Sequence, residues 1–266
     1  MDSINVASGV TQSALPADLE RRFGGLRRLY GDAAYQRLRQ LRVAIVGLGG
    51  VGSWSAEALA RCGVASLVLI DFDQVAESNI NRQVQALGST VGQSKGEALR
   101  ARIADIHPGC AVVLVDDFVT ADNWPALLTQ PVDVLIDACD QVSAKLALAA
   151  WSLCEQRPLV TVGAAGGKRL AHRIDVDDLA AVTHDPLLAS LRQRLRKQHG
   201  AARSGAIGLR CVFSRESVVA PVNETAPRMI EGLNCHGYGS SVMVTAAFGM
   251  AAAAEAVRLA SQNPMA

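Results

Sequence analysis

The sequence lacks the close cysteine pairs that build structural zinc sites or disulfide frameworks. Its six cysteines are widely spaced, and no CxxC pair occurs among Cys62, Cys110, Cys139, Cys154, Cys211 and Cys235. Such spacing is typical of reduced intracellular thiols and predicts no zinc site. Aromatic residues make up only 4% of the chain, so no aromatic run is available to stack nucleic-acid bases.

A strong charge of either sign is also missing, and so is a secretion signal. The formal net charge is +1, so a polyanionic partner would have to bind a local basic patch. Residues 1–20 contain neither a basic head nor an apolar signal core, and we expect a disordered lead-in to a single cytoplasmic domain of residues 21–262. The apolar residues 240–254 are rich in Ala and Gly and run into Glu255. They predict a buried helix over about residues 238–262, covering the sheet or a dimer interface, and no membrane span.

Short apolar runs alternate with helical patterns in the first two thirds of the chain. Strands are predicted at residues 43–46, 67–70, 112–115, 132–136 and 159–162. Helices are predicted to begin near Ser94, where Glu97 completes a capping box, and near Thr120 and Ser143. The alternation predicts an α/β fold with a Rossmann-like, doubly wound, mainly parallel sheet. After Gly167 the alternation stops, and we expect an irregular C-terminal extension packed on the sheet.

A glycine-rich turn follows the first predicted strand. It contains Gly47, Gly49, Gly50 and Gly52. Glycine is needed in such a turn because the chain bends tightly and its backbone approaches the phosphates of a nucleotide. A second strand ends in Asp71, followed by Asp73, where a carboxylate can bind a ribose. These features alone fit many dinucleotide-binding enzymes, and either acid could instead cap a turn.

Two cations and a further acid favour triphosphate chemistry. Arg82 ends the segment Asn79-Ile-Asn-Arg82, and Lys95 lies thirteen residues later. A nicotinamide cofactor carries only a pyrophosphate, whereas departure of pyrophosphate from a triphosphate develops charge that fixed cations stabilise. Asp140, after the fourth predicted strand, is placed to hold Mg²⁺. The alternative is that Arg82 and Lys95 are solvated surface cations.

In order and spacing, these residues resemble the ubiquitin-activating-enzyme-like superfamily of ATP-dependent carboxylate adenylating proteins. The matching pattern is Gly-x-Gly-Gly-x-Gly, Asp-x-Asp, Asn-x-x-Arg-Gln, Lys and Cys-Asp over about residues 40–165. The resemblance implies ATP and Mg²⁺ as ligands, with a monovalent cation as a further ion. It assigns the nucleotide to Gly47, Gly49, Gly50, Gly52, Asp71, Asp73 and Asn79, with Arg82 and Lys95 on the triphosphate and Asp140 on the metal.

A basic segment over about residues 187–210 is the next distinctive feature. No acid occurs between Leu191 and Arg210, in a chain whose charge is otherwise balanced. Such a segment can neutralise phosphates and position a nucleic acid without reading its sequence. The alternative is a solvated helix followed by a Gly/Ser loop. The candidate nucleic-acid-binding cations are Lys168, Arg192, Arg194, Arg196, Lys197, Arg203 and Arg210.

Further segments resemble one branch of the superfamily, the tRNA threonylcarbamoyladenosine dehydratases. They are Arg22-Phe-Gly-Gly25, Arg28-Leu-Tyr-Gly31, residues 115–120 and 185–187, and Cys211-Val-Phe-Ser214. The absent CxxC zinc ligands, usual in sulfur-carrier-activating branches, agree with this branch. The resemblance implies tRNA as partner and ATP-dependent adenylation of the threonyl carboxylate beside the anticodon. The neighbouring carbamoyl group then closes a ring and expels AMP, a step favoured by tethering.

Cys235 lies in a Gly-rich turn before the last predicted helix. The helix N-terminus or His236 could lower the pKa of its thiol and make it reactive, and a small core residue is the alternative. Relatives imply thioester or persulfide chemistry and a cysteine-desulfurase or sulfur-acceptor partner, although ring closure needs no covalent nucleophile. The resemblance also implies a homodimer in which Arg22 or Arg28 reaches the ATP of the other subunit.

Three functions remain open from the sequence. The first is the tRNA-modifying dehydratase, which depends on the basic segment. The second adenylates the C-terminus of a ubiquitin-like or sulfur-carrier protein and needs Cys235. The third is a nucleotide-sensing or NAD-binding module without ligase chemistry, which leaves Arg82, Lys95 and Asp140 unexplained.

Overall fold

Seven strands form one sheet in the computed structural model, which describes residues 18–219 and 238–262. The strands are β1 Arg42–Val46, β2 Ser66–Ile70, β3 Ala111–Val115, β4 Val134–Asp137, β5 Leu159–Val162, β6 Ile174–Asp178 and β7 Arg210–Ser214. The helices are α1 Leu19–Tyr30, α2 Asp32–Gln40, α3 Gly52–Arg61, α4 Lys95–Ile106, α5 Val142–Glu155, α6 Pro186–Gln198 and α7 Val242–Gln262. The first helix therefore begins inside the predicted lead-in of residues 1–20.

The strand order β3-β2-β1-β4-β5-β7-β6 creates a switch point between β1 and β4. The first five strands are all parallel, with β2 and β3 on one side of β1 and β4 and β5 on the other. Ligands of such sheets bind outside the carboxyl ends of the strands at this point. All five predicted strands are confirmed within two residues, because β1, β2, β4 and β5 are buried on both faces and read as continuous apolar runs. The doubly wound α/β fold is confirmed.

The extension after Gly167 is more regular than its sequence indicated. It adds β7, which pairs parallel to β5, and β6, which pairs antiparallel to β7 with Ile174 opposite Ser214. β6 is half-buried and alternates with acids as Ile-Asp-Val-Asp-Asp, so it carries no continuous apolar run. Its partner β7 comes later in the chain than α6, so the regular alternation of strand and helix seen in the first part of the chain does not continue here.

The predicted helix starts are only partly correct. Ser94 precedes α4, but its side chain accepts no capping hydrogen bond, so the capping box with Glu97 does not form. Thr120 Oγ1 accepts the N–H of Asn123 at 3.2 Å, which closes a turn that no helix follows. The helix expected at Ser143 begins one residue earlier, with Gln141 as its N-cap. Local polar residues favoured these starts, and tertiary packing set the actual boundaries.

α7 is a core helix despite its hydropathy. Within the described residues it is the one helix long and apolar enough to cross a membrane, with a mean hydropathy of 1.5. Phe248, Ala252 and Ala256 are buried in the main hydrophobic core. A Cβ added to Gly249 would lie 2.6 Å from the Val51 carbonyl oxygen, so α7 crosses α3 closely. The predicted buried C-terminal helix agrees with this packing.

Candidate functional site

The carboxyl ends of β1, β2, β4 and β5 open into a cavity of about 440 Å³. We call the end of the sheet formed by the carboxyl ends of the parallel strands the pocket edge. The opposite end, formed by their amino ends, is the far edge. Of the ten predicted nucleotide-site residues, nine line the cavity: Gly47, Gly49, Gly50, Asp71, Asp73, Asn79, Arg82, Lys95 and Asp140. The tenth, Gly52, begins α3 directly behind the turn. The structure thus brings the sequence motif together at the switch point.

The glycines of the turn have different physical roles. Gly47 has a φ of +87°, and a Cβ there would lie 2.9 Å from the Ala138 carbonyl oxygen and the Cys139 nitrogen. A Cβ on Gly52 would collide with the Gly47 carbonyl oxygen. A Cβ on Gly49, by contrast, meets nothing within 4 Å. Gly47 and Gly52 are therefore needed for packing, whereas Gly49 faces open space in the cavity, where a ligand can approach the backbone.

Asp71 joins the glycine turn to the end of β2. Its carboxylate accepts the N–H of Leu48 at 2.6 Å and that of Asp73 at 2.9 Å. Lys95 Nζ lies 2.5 Å from Asp73 Oδ2 and 3.8 Å from Asp71 Oδ1, and its side chain is only 7% exposed. Burial raises the pKa of Asp71, and the charge of Lys95 and the two N–H groups only partly offset that effect. The single charge of Lys95 thus offsets part of the negative charge of the two acids.

Arg82 lies beside the glycine turn, three residues after the short 3₁₀ helix Glu77–Asn79. Asn79 ends that helix and is buried, and its carbonyl oxygen accepts the Arg82 N–H at 3.0 Å. The Arg82 guanidinium donates to the Ser78 carbonyl at 2.6 Å, and a Cβ on Gly50 would lie 3.2 Å from Arg82 Cγ. Asn79 therefore shapes the segment that presents Arg82 to the cavity.

Asp140 lies across the cavity on the turn that follows β4. Its carboxylate makes no hydrogen bond or ion pair with any residue that the structure describes. The turn is held by Asp137, whose Oδ1 accepts the backbone N–H of Cys139 at 3.2 Å and its thiol at 2.8 Å. Burial, together with the charge of Asp137, raises the pKa of the Cys139 thiol well above its ordinary value. Asp140 is therefore open to a cation, and Cys139 stays a protonated thiol.

A buried ion pair below this turn escaped the sequence analysis. Lys145 Nζ lies 3.0 Å from Asp137 Oδ2, and both side chains are fully buried. Thr161 Oγ1 donates to the same Asp137 oxygen at 2.5 Å. Burial opposes the charge on Lys145, but the surrounding acidic groups, of which Asp137 has the largest effect, together outweigh burial and raise the Lys145 pKa. The sequence signal for this ion pair was a single lysine within the otherwise apolar sequence of α5.

An aromatic pair in the cavity wall was also missed. Phe72 and Phe118 are 54% and 50% exposed, and their ring centroids lie 5.4 Å apart. Each ring directly follows an acid at the end of a strand, Asp71 after β2 and Asp117 after β3. Because the carboxyl ends of parallel strands share an edge, that placement was the signal in the sequence.

The predicted nucleic-acid-binding cations divide into two groups. Four of the seven make intramolecular contacts. Lys168 donates to the carbonyls of His184 and Glu216, Arg192 to those of Leu179 and Val182, Arg196 to that of Ala202, and Arg210 pairs with Glu255. The other three, Arg194, Lys197 and Arg203, are exposed and have no such partner in the described part of the chain.

The basic segment spans the sheet from one edge to the other. α6 begins at the pocket edge, where Asp185 accepts the N–H of Ala164 at 2.9 Å and Leu187 lines the cavity. Residues 199–209 then enter β7 at its amino end, because β7 is parallel to β5. Ten residues of helix separate Leu187 from Lys197, or about 15 Å. The three exposed cations therefore lie toward the far edge.

The remaining candidates have no role that the structure tests. Cys235 and His236 lie outside the described residues. Arg22 donates to the carbonyls of Asp105 and Ile106 at 2.6 Å each, which uses its guanidinium within this chain. Arg28 is exposed. No group of three or more potential metal ligands occurs within residues 18–219 and 238–262.

Known proteins share the sequence and the fold of this chain. Residues 23–266 match the ThiF family. The chain is 43% identical over 248 residues to the tRNA threonylcarbamoyladenosine dehydratase of Escherichia coli, which covers 90% of this chain and 92% of that protein. It is 37% identical over 252 residues to the dehydratase of the same name from Haemophilus influenzae, covering 94% and 97%. The solved structure of the E. coli tRNA N6-threonylcarbamoyladenosine dehydratase in complex with ATP superposes with a TM-score of 0.82 at 42% identity, covering 92% of this chain and 96% of that one.

Proposed function

The chain belongs to the ThiF family, and from that membership we propose that it is the enzyme that dehydrates threonylcarbamoyladenosine beside the tRNA anticodon, at the expense of ATP. One observation carries the proposal. An open glycine turn, Arg82 and the unpaired Asp140 converge on one cavity in a chain that is similar to dehydratases of this name over nine tenths of its length.

The cavity fits ATP. Gly49 leaves its backbone open toward the ligand at the start of α3, where helix N–H groups favour phosphate. Asp71 keeps unused lone pairs for ribose hydroxyls, and the rings of Phe72 and Phe118 are placed to contact the adenine. Arg82 lies on the phosphate side, beside Gly50.

The residues present also fit Mg²⁺. Asp140 offers a carboxylate with no competing partner among the described residues, and carboxylate oxygen is a preferred Mg²⁺ ligand. When bound, the ion would neutralise charge on the phosphate oxygens. Lys95 can join this task by sharing its ammonium between Asp73 and a phosphate. A monovalent cation remains part of the proposal without a site assigned to it.

The reaction proceeds in two displacements. A threonyl carboxylate oxygen forms a bond to the α-phosphorus of ATP, and the bond to pyrophosphate breaks. The neighbouring carbamoyl group then bonds to the activated carbonyl carbon, loses a proton, and AMP departs with the former carboxylate oxygen. The net change in the nucleoside is the loss of one water. Arg82 stabilises the developing phosphate charge, and tethering of the two reacting groups supplies much of the acceleration.

The protein need not supply a covalent nucleophile for this chemistry. Cys139, the cavity cysteine, is held protonated by burial and by Asp137. For Cys235 the proposal remains a catalytic or sulfur-relay role, with a cysteine-desulfurase or sulfur-acceptor system as partner. We further propose a single domain of residues 21–262, a homodimer, and a tRNA that also contacts Arg194, Lys197 and Arg203.

Pyrophosphate release tests the proposed function directly. Purified protein with ATP and Mg²⁺ is mixed with tRNA that carries threonylcarbamoyladenosine or with unmodified tRNA, and the nucleosides are then weighed by mass spectrometry. We expect release with the modified tRNA alone and loss of one water from that nucleoside. Pyrophosphate release with a ubiquitin-like or sulfur-carrier protein, and none with either tRNA, would instead establish the alternative adenylating function.

Arg82→Ala is the mechanistic variant of this assay. Loss of a preorganised cation at the phosphate should lower kcat by about 10²- to 10³-fold. Arg37→Ala, at an exposed position in the last turn of α2, is the matched control and should keep full activity. Equal rates for wild type and Arg82→Ala would remove Arg82 from the catalytic set.

A further inference from the structure

The pocket edge carries a group of basic residues that lies apart from the basic segment. The connection from β5 to β6 crosses this edge, because Ile174 pairs with Ser214 at the carboxyl end of β7. Arg169, His172 and Arg173 are exposed on it. We call Arg169, His172 and Arg173 the basic turn. It begins four residues after Ala165, which lines the cavity.

Neighbouring acids hold the basic turn in place and leave most of its charge available. Glu216 Oε2 accepts the backbone N–H groups of Arg169 at 2.9 Å and of Leu170 at 2.8 Å, and Glu216 Oε1 accepts the Arg169 N–H at 3.1 Å. Glu216 also lies close enough to the Arg169 charge to interact with it. Asp175, the next acid, pairs with Arg215 at 2.6 Å. His172 and Arg173 form no ion pair with any residue in the described ranges.

Charge is unequally divided along the pocket edge. The half around β2 and β3 carries Asp71 and Asp73, which share the charge of Lys95, and also Asp116, Asp117 and Asp122, which form no ion pair with any described residue. The half formed by β5, β7 and β6 carries the basic turn, and its acids Asp175 and Glu216 are occupied by Arg215 and by backbone N–H groups. A polyanion that reaches the cavity meets repulsion over the first half and attraction over the second.

We propose that the basic turn binds the sugar-phosphate backbone of the tRNA next to the reacting nucleoside. This inference rests on the proposed function and adds the side from which the RNA enters. The nucleoside must place its carboxylate near Gly49 and Arg82, so its flanking phosphates have to cross the pocket edge. The exposed cations of the basic segment lie toward the far edge, with Lys197 about 15 Å along α6 from Leu187, and so contact more distant parts of the tRNA.

Salt-dependent binding of the modified tRNA to the full chain tests this proposal. The double variant Arg169→Ala with Arg173→Ala keeps the backbone groups that Glu216 and Arg215 bind. Each lost phosphate contact should lower the slope of log affinity against log salt by about 0.7 to 0.9. We expect a total fall of about 1.4 to 1.8 in slope and affinity weakened by about 10- to 50-fold at about 0.1 M salt. ATP binding without tRNA should be unchanged.

The matched control removes the same charge from the far edge. Arg21 and Arg37 are exposed on α1 and α2, and α2 ends where the chain enters β1 at its amino end. Arg21→Ala with Arg37→Ala should therefore leave slope and affinity as in wild type. An unchanged slope in the basic-turn variant, or an equal fall in the control, would overturn the proposal. Wild-type turnover of modified tRNA is measured alongside, and its absence would mean that the proposed function itself had failed.

Discussion

At the scale of single residues, the cavity is built from groups whose positions depend on buried neighbours. Asp140 and Cys139 lie on a turn that Asp137 holds, and Asp137 is in turn bound by Lys145 and Thr161. A buried ion pair of this kind contributes little net stability, because desolvation offsets the Coulomb attraction. Its value here lies in fixing the turn that carries Asp140, the carboxylate proposed to bind Mg²⁺.

Two substitutions of Thr161 separate its hydroxyl from its shape. Thr161→Val keeps the volume but removes the O–H donated to Asp137, which should lower the free energy of unfolding by about 1 to 3 kcal/mol. Thr161→Ser keeps the O–H and loses one methyl, at a cost of about 0.8 kcal/mol. Urea unfolding measures both, and pyrophosphate release should fall only in the valine variant. A valine variant with wild-type stability and activity would argue against this role.

Which residues line the cavity was predictable only where their spacing along the chain encodes it. Asp71, Arg82 and Asp140 follow strands or turns that the motif already defines, so their convergence was foreseen. The intramolecular contacts of Arg192 and Arg210 could not be predicted, because their partners Leu179 and Glu255 are distant in sequence. Exposure of a charge depends on tertiary packing, which a charge run does not reveal.

At the scale of elements, the first five strands were predictable and the last two were not. A strand buried on both faces reads as an apolar run whatever its neighbours are. β6 carries three acids in five residues, and one of them, Asp178, accepts N–H groups from Ile207, Gly208 and Leu209. The acid that obscured the strand in the sequence therefore anchors the loop that leads into β7.

Asp178 should make this loop sensitive to acid. Partial burial opposes ionisation, but N–H donors from Ile207, Ala180, Gly208 and Leu209 lower the Asp178 pKa below its ordinary value of 3.8. The carboxylate therefore stabilises the fold above its unfolded-state pKa, and this contribution is lost as pH falls through the depressed folded-state pKa.

The test compares unfolding free energies between about pH 5 and pH 3. Wild type should lose more stability over this range than Asp178→Asn, which has no charge to titrate. Asp122→Asn, at an exposed position without a described partner, is the control and should follow wild type. Parallel curves for wild type and Asp178→Asn would contradict the assignment.

At the scale of the whole molecule, nucleotide binding should raise the stability of the fold as a unit. Mg²⁺–ATP at about 100 times its Kd adds about 2.7 kcal/mol to the folded state. For a chain of this size that corresponds to a rise in Tm of roughly 5 to 10 °C.

Gly49→Val should abolish this ATP-dependent rise without changing the Tm of the free protein. A Cβ at Gly49 meets nothing within 4 Å, so the added side chain fills only the space where phosphate would lie. Gly88→Val, at an equally open position outside the cavity wall, is the matched control and should keep the rise. Thermal melts with and without ATP measure both variants, and a full ATP shift in Gly49→Val would place the phosphates elsewhere.

During synthesis, this chain cannot complete its sheet in the order in which its strands leave the ribosome. β6 emerges first, yet the neighbour that holds it in the sheet is β7, and 32 positions separate Asp178 from Arg210. Until Ser214 has been made, β5 presents an unpaired edge and β6 has no strand to join. We therefore expect nascent chains that stall in this interval to be the ones most exposed to edge-to-edge aggregation.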